Sequence, residues 1–277
     1  ITQVRLSGQD MVSTQGNYLE LQETESRPVE RISCEEEDRT STGFDIFTGF
    51  SFSSGIENTR RVKLLHEGQE LINFYYAPAA QLVEINRKWR ITKNSEGFPI
   101  GTVSGRWKQK REIDQPDPHD PAREVQLFTT ITSDILYMVP TKTLVLSPEG
   151  VISLSFALKR AIENLFQAES NEIATILMGE GESQNILIYE AAEGSLGILS
   201  QLVENTNLLH QVFAEAYKIC HFDPNTQTDL RLDLPRATYD DLLSYYNQRF
   251  HDQIDRYSIK AALELLMICQ PDNTQNF

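Results

Sequence analysis

Thr238-Tyr239-Asp240-Asp241-Leu242-Leu243-Ser244-Tyr245-Tyr246-Asn247-Gln248-Arg249-Phe250-His251-Asp252-Gln253-Ile254-Asp255-Arg256 decides how the second half of this chain is built. Its polar end, Asn247, Gln248, His251, Asp255 and Arg256, is spaced like a junction between two helices, with Asp255 placed to cap the second. Helices are predicted over 238–248 and 255–269. Tyr245, Asn247, Gln248, His251, Asp255 and Arg256 serve as capping and hydrogen-bonding residues in this reading rather than as substrate contacts. On a helix the adjacent Asp240 and Asp241 diverge by about 100°. They therefore make a poor Mg²⁺ pair, and no nucleophile, base and orienting group accompany His221 and His251.

Working outward, helical spacing continues upstream. One segment covers 196–204, and Asn207 is placed to cap a second through Leu209, Val212, Phe213 and Ala216. Over 153–168, Leu154, Leu158, Ala161, Ile162 and Leu165 share a face while Lys159, Arg160 and Glu163 point elsewhere. The apolar runs 173–177 and 184–189 flank Gly179-Glu180-Gly181-Glu182 and predict a hairpin. Glu193-Gly194-Ser195-Leu196-Gly197 reads as a tight turn. Its amides have the chemistry to cradle a phosphate, but neighbouring Glu190 and Glu193 repel an anion.

The front half reads as strands. Phe44, Ile46, Phe50 and Phe52 alternate, and 71–76, 82–85, the segments around Trp89 and Trp107, 124–139 and 142–147 follow. Asn94-Ser95-Glu96-Gly97 marks a turn, and Gln115-Pro116-Asp117-Pro118-His119-Asp120-Pro121 a stiff loop. Residues 1–40, densest in charge at Glu35-Glu36-Glu37-Asp38, read as an acidic linker or edge segment. Strands before helices predict an α+β fold. An antiparallel or mixed sheet is expected over 41–150 and a helical part over 151–277.

With 277 residues and 40% hydrophobic content, the chain can bury one large or two small cores. No apolar run approaches the ~20 residues that span a bilayer. Ile1 is not an initiator Met, so a piece of a longer protein is expected. Three scattered cysteines, Cys34, Cys220 and Cys269, fit a reducing cytoplasm better than a disulfide scaffold. Charge is segregated within a net −15: residues 60–111 carry 11 basic and 4 acidic side chains, whereas 112–277 carry 10 and 25. Nucleic acid could be held only over a limited patch.

That patch is the basic and aromatic stretch Arg87, Lys88, Trp89, Arg90, Lys93, Arg106, Trp107, Lys108, Lys110 and Arg111. Cations neutralise phosphates, and rings stack on unpaired bases at about 1–3 kcal/mol each. The competing reading places both tryptophans in the core, because a strand points Trp89 away from Lys88 and Arg90.

The 238–256 stretch resembles the C-terminal signature of the MrfA zinc-binding (MZB) domain family, Cys-x-x-Cys-Leu-x-Ser-Tyr-x-Asn-Gln followed by His and Asp-Arg. Thr238 and Asp241 stand at its two cysteine positions. Further likenesses follow in the family's order: Ile32 to Arg39 with Gly43-Phe44-Asp45-Ile46, Thr132 to Leu136, Ser153 to Ala161, Ile188 to Gly197, and Ile219-Cys220-His221-Phe222-Asp223-Pro224. The resemblance implies a zinc site and a place at the end of a bacterial superfamily 2 helicase, in DNA repair or DISARM-like phage defence. Only Cys220 remains of the cysteine set. A Cys220/His221/Asp241 group has suitable donors but lacks a fourth, so no metal or other cofactor is expected. No Gly-x-x-x-x-Gly-Lys-Ser/Thr loop occurs, so this chain alone is not expected to hydrolyse ATP. The expectation is a non-catalytic accessory domain that positions nucleic acid, or docks a subunit, for a helicase motor. A pure protein-interaction scaffold and a Mg²⁺-dependent nuclease are its rivals.

Overall fold

The structure, a computed structural model, describes residues 18–20, 44–51, 59–89, 97–179, 181–192 and 194–272. Its strands are β1 (Tyr18–Glu20), β2 (Phe44–Ser51), β3 (Arg60–His66), β4 (Gln69–Trp89), β5 (Phe98–Gly101), β6 (Ala122–Pro140), β7 (Ile173–Met178), β8 (Asn185–Glu190) and β9 (Gln270–Pro271). Its α-helices are α1 (Lys110–Asp114), α2 (Pro148–Phe166), α3 (Ile198–Glu204), α4 (Thr206–Ile219) and α5 (Lys260–Ile268). The fold is α+β, strand-rich in front and mostly helical behind. The described residues form two compact units, one within Ile1–Ser51 and Gln81–Ile131, the other within Phe52–Ala80 and Thr132–Phe277. The long strands β4 and β6 contribute residues to both.

In the first unit, β2 lies antiparallel to the end of β4, Phe50 opposite Leu82, with a register shift after Asp45. β5 runs antiparallel to β6, and β1 parallel to it. Gly97 is required where the backbone oxygen of Val125 would sit 2.7 Å from any Cβ.

In the second unit the sheet order is β7-β8-β6-β4-β3-β9. Glu67 and Gly68, both at positive φ (50° and 79°), make the two-residue turn that joins β3 to β4. Helix α2 starts at Ser147, whose side chain caps Gly150 N, with Pro148 in the first turn. Its buried Leu154, Ala157, Leu158, Ala161 and Ile162 belong to one core with Ile173, Ile186 and Ile188 of the sheet and Leu209, Val212, Phe213 and Ala216 of α4. Burying each large aliphatic side chain contributes about 1.5–3 kcal/mol, so this layer of helix on sheet carries the unit.

Several expectations need correction. The runs at 71–76 and 82–85 are one strand, interrupted in appearance by Ala77-Pro78-Ala79; Ala79 takes a φ of 48° and donates its N–H to Asp134 Oδ1 at 2.9 Å. Residues 142–147 are a 3₁₀ turn and loop, because Thr141 caps the turn and Val145 is left-handed. Helix α4 is capped by Asn205, not Asn207. Trp107 makes a single bridge to Ile100, and α1 follows it instead of a strand. Residues 238–248 form turns leading into a 3₁₀ stretch, Tyr245–Gln253, rather than an α-helix. The hairpin of β7 and β8 and helix α2 lie where the periodicity places them. Of residues 1–40, only β1 is among the described residues.

Candidate nucleic-acid interface and cysteine-poor knuckle

Downstream of α4 the chain turns back on itself in a knuckle. Cys220 ends the helix, His221 takes a φ of 61°, and Phe222 bridges to Asp229. Arg256 is wholly buried at its centre. Its Nη1 donates to Cys220 O (2.9 Å) and Asp229 Oδ1 (3.0 Å). Its Nη2 donates to Asp229 Oδ2, Arg231 O (both 2.9 Å) and Tyr257 Oη (2.6 Å). The guanidinium also lies over the rings of Tyr257 and Phe222, 4.3 and 5.2 Å from their centroids. Arginine alone offers this rigid fork of donors. Arg256, beside Asp229, holds that carboxyl down to about 2.

Asp241, also fully buried, organises the turn before it. It accepts from Thr238 N at 2.6 Å, Thr238 Oγ1 at 2.8 Å and Leu242 N at 2.5 Å. Asn247 repeats the device: its Oδ1 accepts from Ser244 N and its Nδ2 donates to Leu242 O, both at 2.8 Å. His251 Nε2 reaches Ser244 O (3.1 Å) and Asn247 Oδ1 (3.0 Å), so that nitrogen carries the proton. Side chains claiming backbone N–H groups in this way compete with helix formation, which is why 238–248 is not helical. Asp255 caps the next turn through Tyr257 N, and its own N–H donates to Ser153 Oγ of α2, each at 2.9 Å. Gln248 is half-buried, and Tyr245 is exposed against Tyr246.

Cys220, His221, Thr238 and Asp241 do converge: His221 Nε2 is 3.7 Å from Asp241 Oδ2, and Asp241 lies close enough to Cys220 to influence its thiol. The donor set nevertheless does not fit structural zinc, which needs thiolate or imidazole donors in a tetrahedron. Burial, and then the charge of Asp241, push the Cys220 thiol far above its ordinary range. Asp241's oxygens are already committed. Among the described residues, no three His, Cys, Asp or Glu side chains, these included, are arranged so that they could hold a metal ion.

The glycine turn is filled from within. Glu190 accepts from Leu196 N, from Gly197 N at 3.0 Å and from Leu199 N at 2.9 Å, so a carboxylate of the chain occupies the amides a phosphate would use.

The basic stretch belongs to the first unit. Arg87 pairs with Asp45 at 2.8 Å and Arg106 with Glu112 at 3.1 Å. Lys88, half-buried, stands opposite Asp45 in register, and Trp89 opposite Phe44. Arg90 and Lys93 lie outside the described residues. Lys110 opens α1, and Arg111 is exposed. Lys108 is only 7% exposed and forms an ion pair with Asp120. Asp120 also accepts from Val103 N (2.9 Å), Ser104 N (3.1 Å) and Ser104 Oγ (2.6 Å). Lys108, Ser104 and those amides hold its carboxyl well below the usual range. A Cβ at Gly101 would lie within 2.6 Å of Asp120, Lys108 and Ser104 side-chain atoms, so a larger residue there would displace the side chains that pin the loop. The result is a pinned loop that displays Val103, 75% exposed, and Trp107, 45% exposed and packed edge-on against Phe98 at 4.9 Å. Arg123 and Gly101 line an adjoining concavity of about 490 Å³. Sequence reasoning missed Val103 and Arg123, because nothing in residue order signals that a turn residue and a residue of β6 rim the same loop.

No family model and no curated protein matches the chain. Among solved structures, the chain is similar to the crystal structure of the DUF1998 helicase MrfA bound to DNA, at a TM-score of 0.43 and 9% identity, over 81% of this chain. The match spans 25% of that helicase chain.

Proposed function

We propose that this chain is a metal-free, non-catalytic accessory module that positions a nucleic-acid strand for a separate ATP-driven motor of the helicase kind. The observation that carries the reading is the loop pinned by the Lys108–Asp120 pair, which leaves Trp107 and Val103 exposed in a unit that also exposes Arg106, Arg111 and Arg123. A ring presented on a rigid loop can stack on an unpaired base without an ordering cost, and flanking cations add a salt-dependent attraction to phosphate. The order of MZB-like motifs along the sequence supports the helicase context, in repair or phage defence. The buried guanidinium of Arg256, tying Cys220, Asp229 and Arg231 together, supports a knuckle that works without zinc.

Fluorescence anisotropy with labelled single- and double-stranded DNA tests this. Salt-sensitive binding of the single strand is expected, weakened about tenfold, or about 1.4 kcal/mol, by Trp107→Ala. Absence of binding at low salt would overturn the reading. It would favour a protein-interaction scaffold, for which the internal neutralisation of Arg87, Arg106 and Lys108 speaks. A nuclease using Asp240 and Asp241 gains no support, because Asp241 is buried and its oxygens are taken.

A further inference from the structure

The second unit carries a groove of about 450 Å³ between α2 and the 239–247 segment. Phe156, Lys159, Arg160, Glu163 and Asn164 line one side, the three- and four-residue spacing of a single helix face. Tyr239, 55% exposed, and Tyr246, 75% exposed, stand on the other. Their rings are steadied edge-to-face, Tyr239 by His251 at 5.5 Å and Tyr246 by Tyr245 at 5.8 Å.

The charges of the lining are unequal in freedom. Lys159 is paired with Glu163 and also donates to Ser170 O at 2.9 Å, and Asn164 donates to Glu215 at 3.3 Å. Arg160 spends only Nη1, on the carbonyls of Tyr239 and Asp241. Among the described residues its Nε and Nη2 donors have no hydrogen bond and its charge no ion pair. The groove thus offers a net positive charge, a donor-only edge and flat rings. A phenyl ring from a peptide would leave that edge unanswered. A nucleobase supplies both a π-face and edge acceptors, and its phosphate balances the charge.

We infer that this groove takes one unpaired nucleobase, stacked on Tyr246 and hydrogen-bonded by the free edge of Arg160. The inference rests on the nucleic-acid reading above and gives it a second contact, remote in sequence from Trp107. The test uses the whole chain with a single-stranded oligothymidylate carrying one 2-aminopurine, and separately with 2-aminopurine deoxyribonucleoside monophosphate. Quenching of the probe is expected with the oligonucleotide. Tyr246→Ala should abolish it and weaken binding about tenfold, and Tyr246→Phe should restore both. Quenching of the monophosphate alone, with the same dependence on Tyr246, would assign the base to a free nucleotide. An oligonucleotide whose binding is weakened by Trp107→Ala, yet is indifferent to Tyr246→Ala, overturns this inference and leaves the wider reading standing. No binding of either probe at low salt overturns both.

Discussion

Arg256 and Asp229, 27 positions apart, meet in a two-pronged ion pair, Nη1 to Oδ1 at 3.0 Å and Nη2 to Oδ2 at 2.9 Å. The same guanidinium reaches the carbonyls of Cys220 and Arg231, so one side chain ties together the ends of a loop that has little other regular structure. Removing one member of such a buried pair strands the other, at about 3–5 kcal/mol. Arg256→Met is therefore expected to lower unfolding free energy by that amount in urea titration. Arg256→Lys should rescue little of it, since an ammonium cannot span both oxygens and both carbonyls. The melting temperature of the native chain should be the same with and without EDTA; a large drop on chelation would overturn the metal-free knuckle.

The same pair sets an acid limit. Asp229's carboxyl is depressed to about 2 in the folded chain, chiefly by Arg256. An unfolded aspartate titrates near 4. The folded state thus binds the proton less readily, so the contribution is complete above about pH 4 and disappears as pH falls towards 2. Asp120, held low by Lys108, acts in the same direction. Asp229→Asn should be less stable than the parent at pH 6, with the gap narrowing at pH 2.5 and closing only below about pH 2, as read from urea midpoints across that range.

Much of the second unit is legible in sequence. The helical period over 153–168 and the paired apolar runs around 180 reflect burial against one another, and burial is what periodicity records. The turns over 238–248 were hidden because Asp241 and Asn247 satisfy backbone donors that a helix would otherwise use, and propensity carries no trace of such bonds. Residues 142–147 alternate like a strand, yet Val145 points outward at 83% exposure. The basic stretch shows the same limit for charge. Counting cations over 60–111 gives a patch, but Asp45, Glu112 and Asp120 sit where only the fold brings them, beside Arg87, Arg106 and Lys108.

Cysteine chemistry follows from burial. Cys220 is wholly buried with its thiol pushed far up, and burial raises Cys269 to about 11. A thiolate is the reactive form, so both should resist a maleimide at pH 7.5 in the folded chain and react once urea unfolds it. Rapid native labelling of Cys220, located by mass spectrometry, would contradict the packing of the knuckle.

Lys108 separates the effect of charge from that of shape. Its ammonium faces Asp120, not solvent, so in the proposed nucleic-acid binding it would act through the loop that Asp120 holds by Val103 N, Ser104 N and Ser104 Oγ. Arg111, by contrast, is exposed, and in the proposed binding would act through charge alone. Arg111→Glu should weaken single-strand binding and flatten its salt dependence by about one phosphate contact, leaving the melting temperature unchanged. Lys108→Met should weaken binding while leaving that slope nearly intact, and should shift the Trp107 emission as the ring loses its fixed seat on Phe98. Emission and melting curves of both variants, taken alongside anisotropy at three salt concentrations, discriminate the two roles. A slope that falls equally in both would mean that Lys108 meets phosphate directly and that its pairing with Asp120 opens on binding.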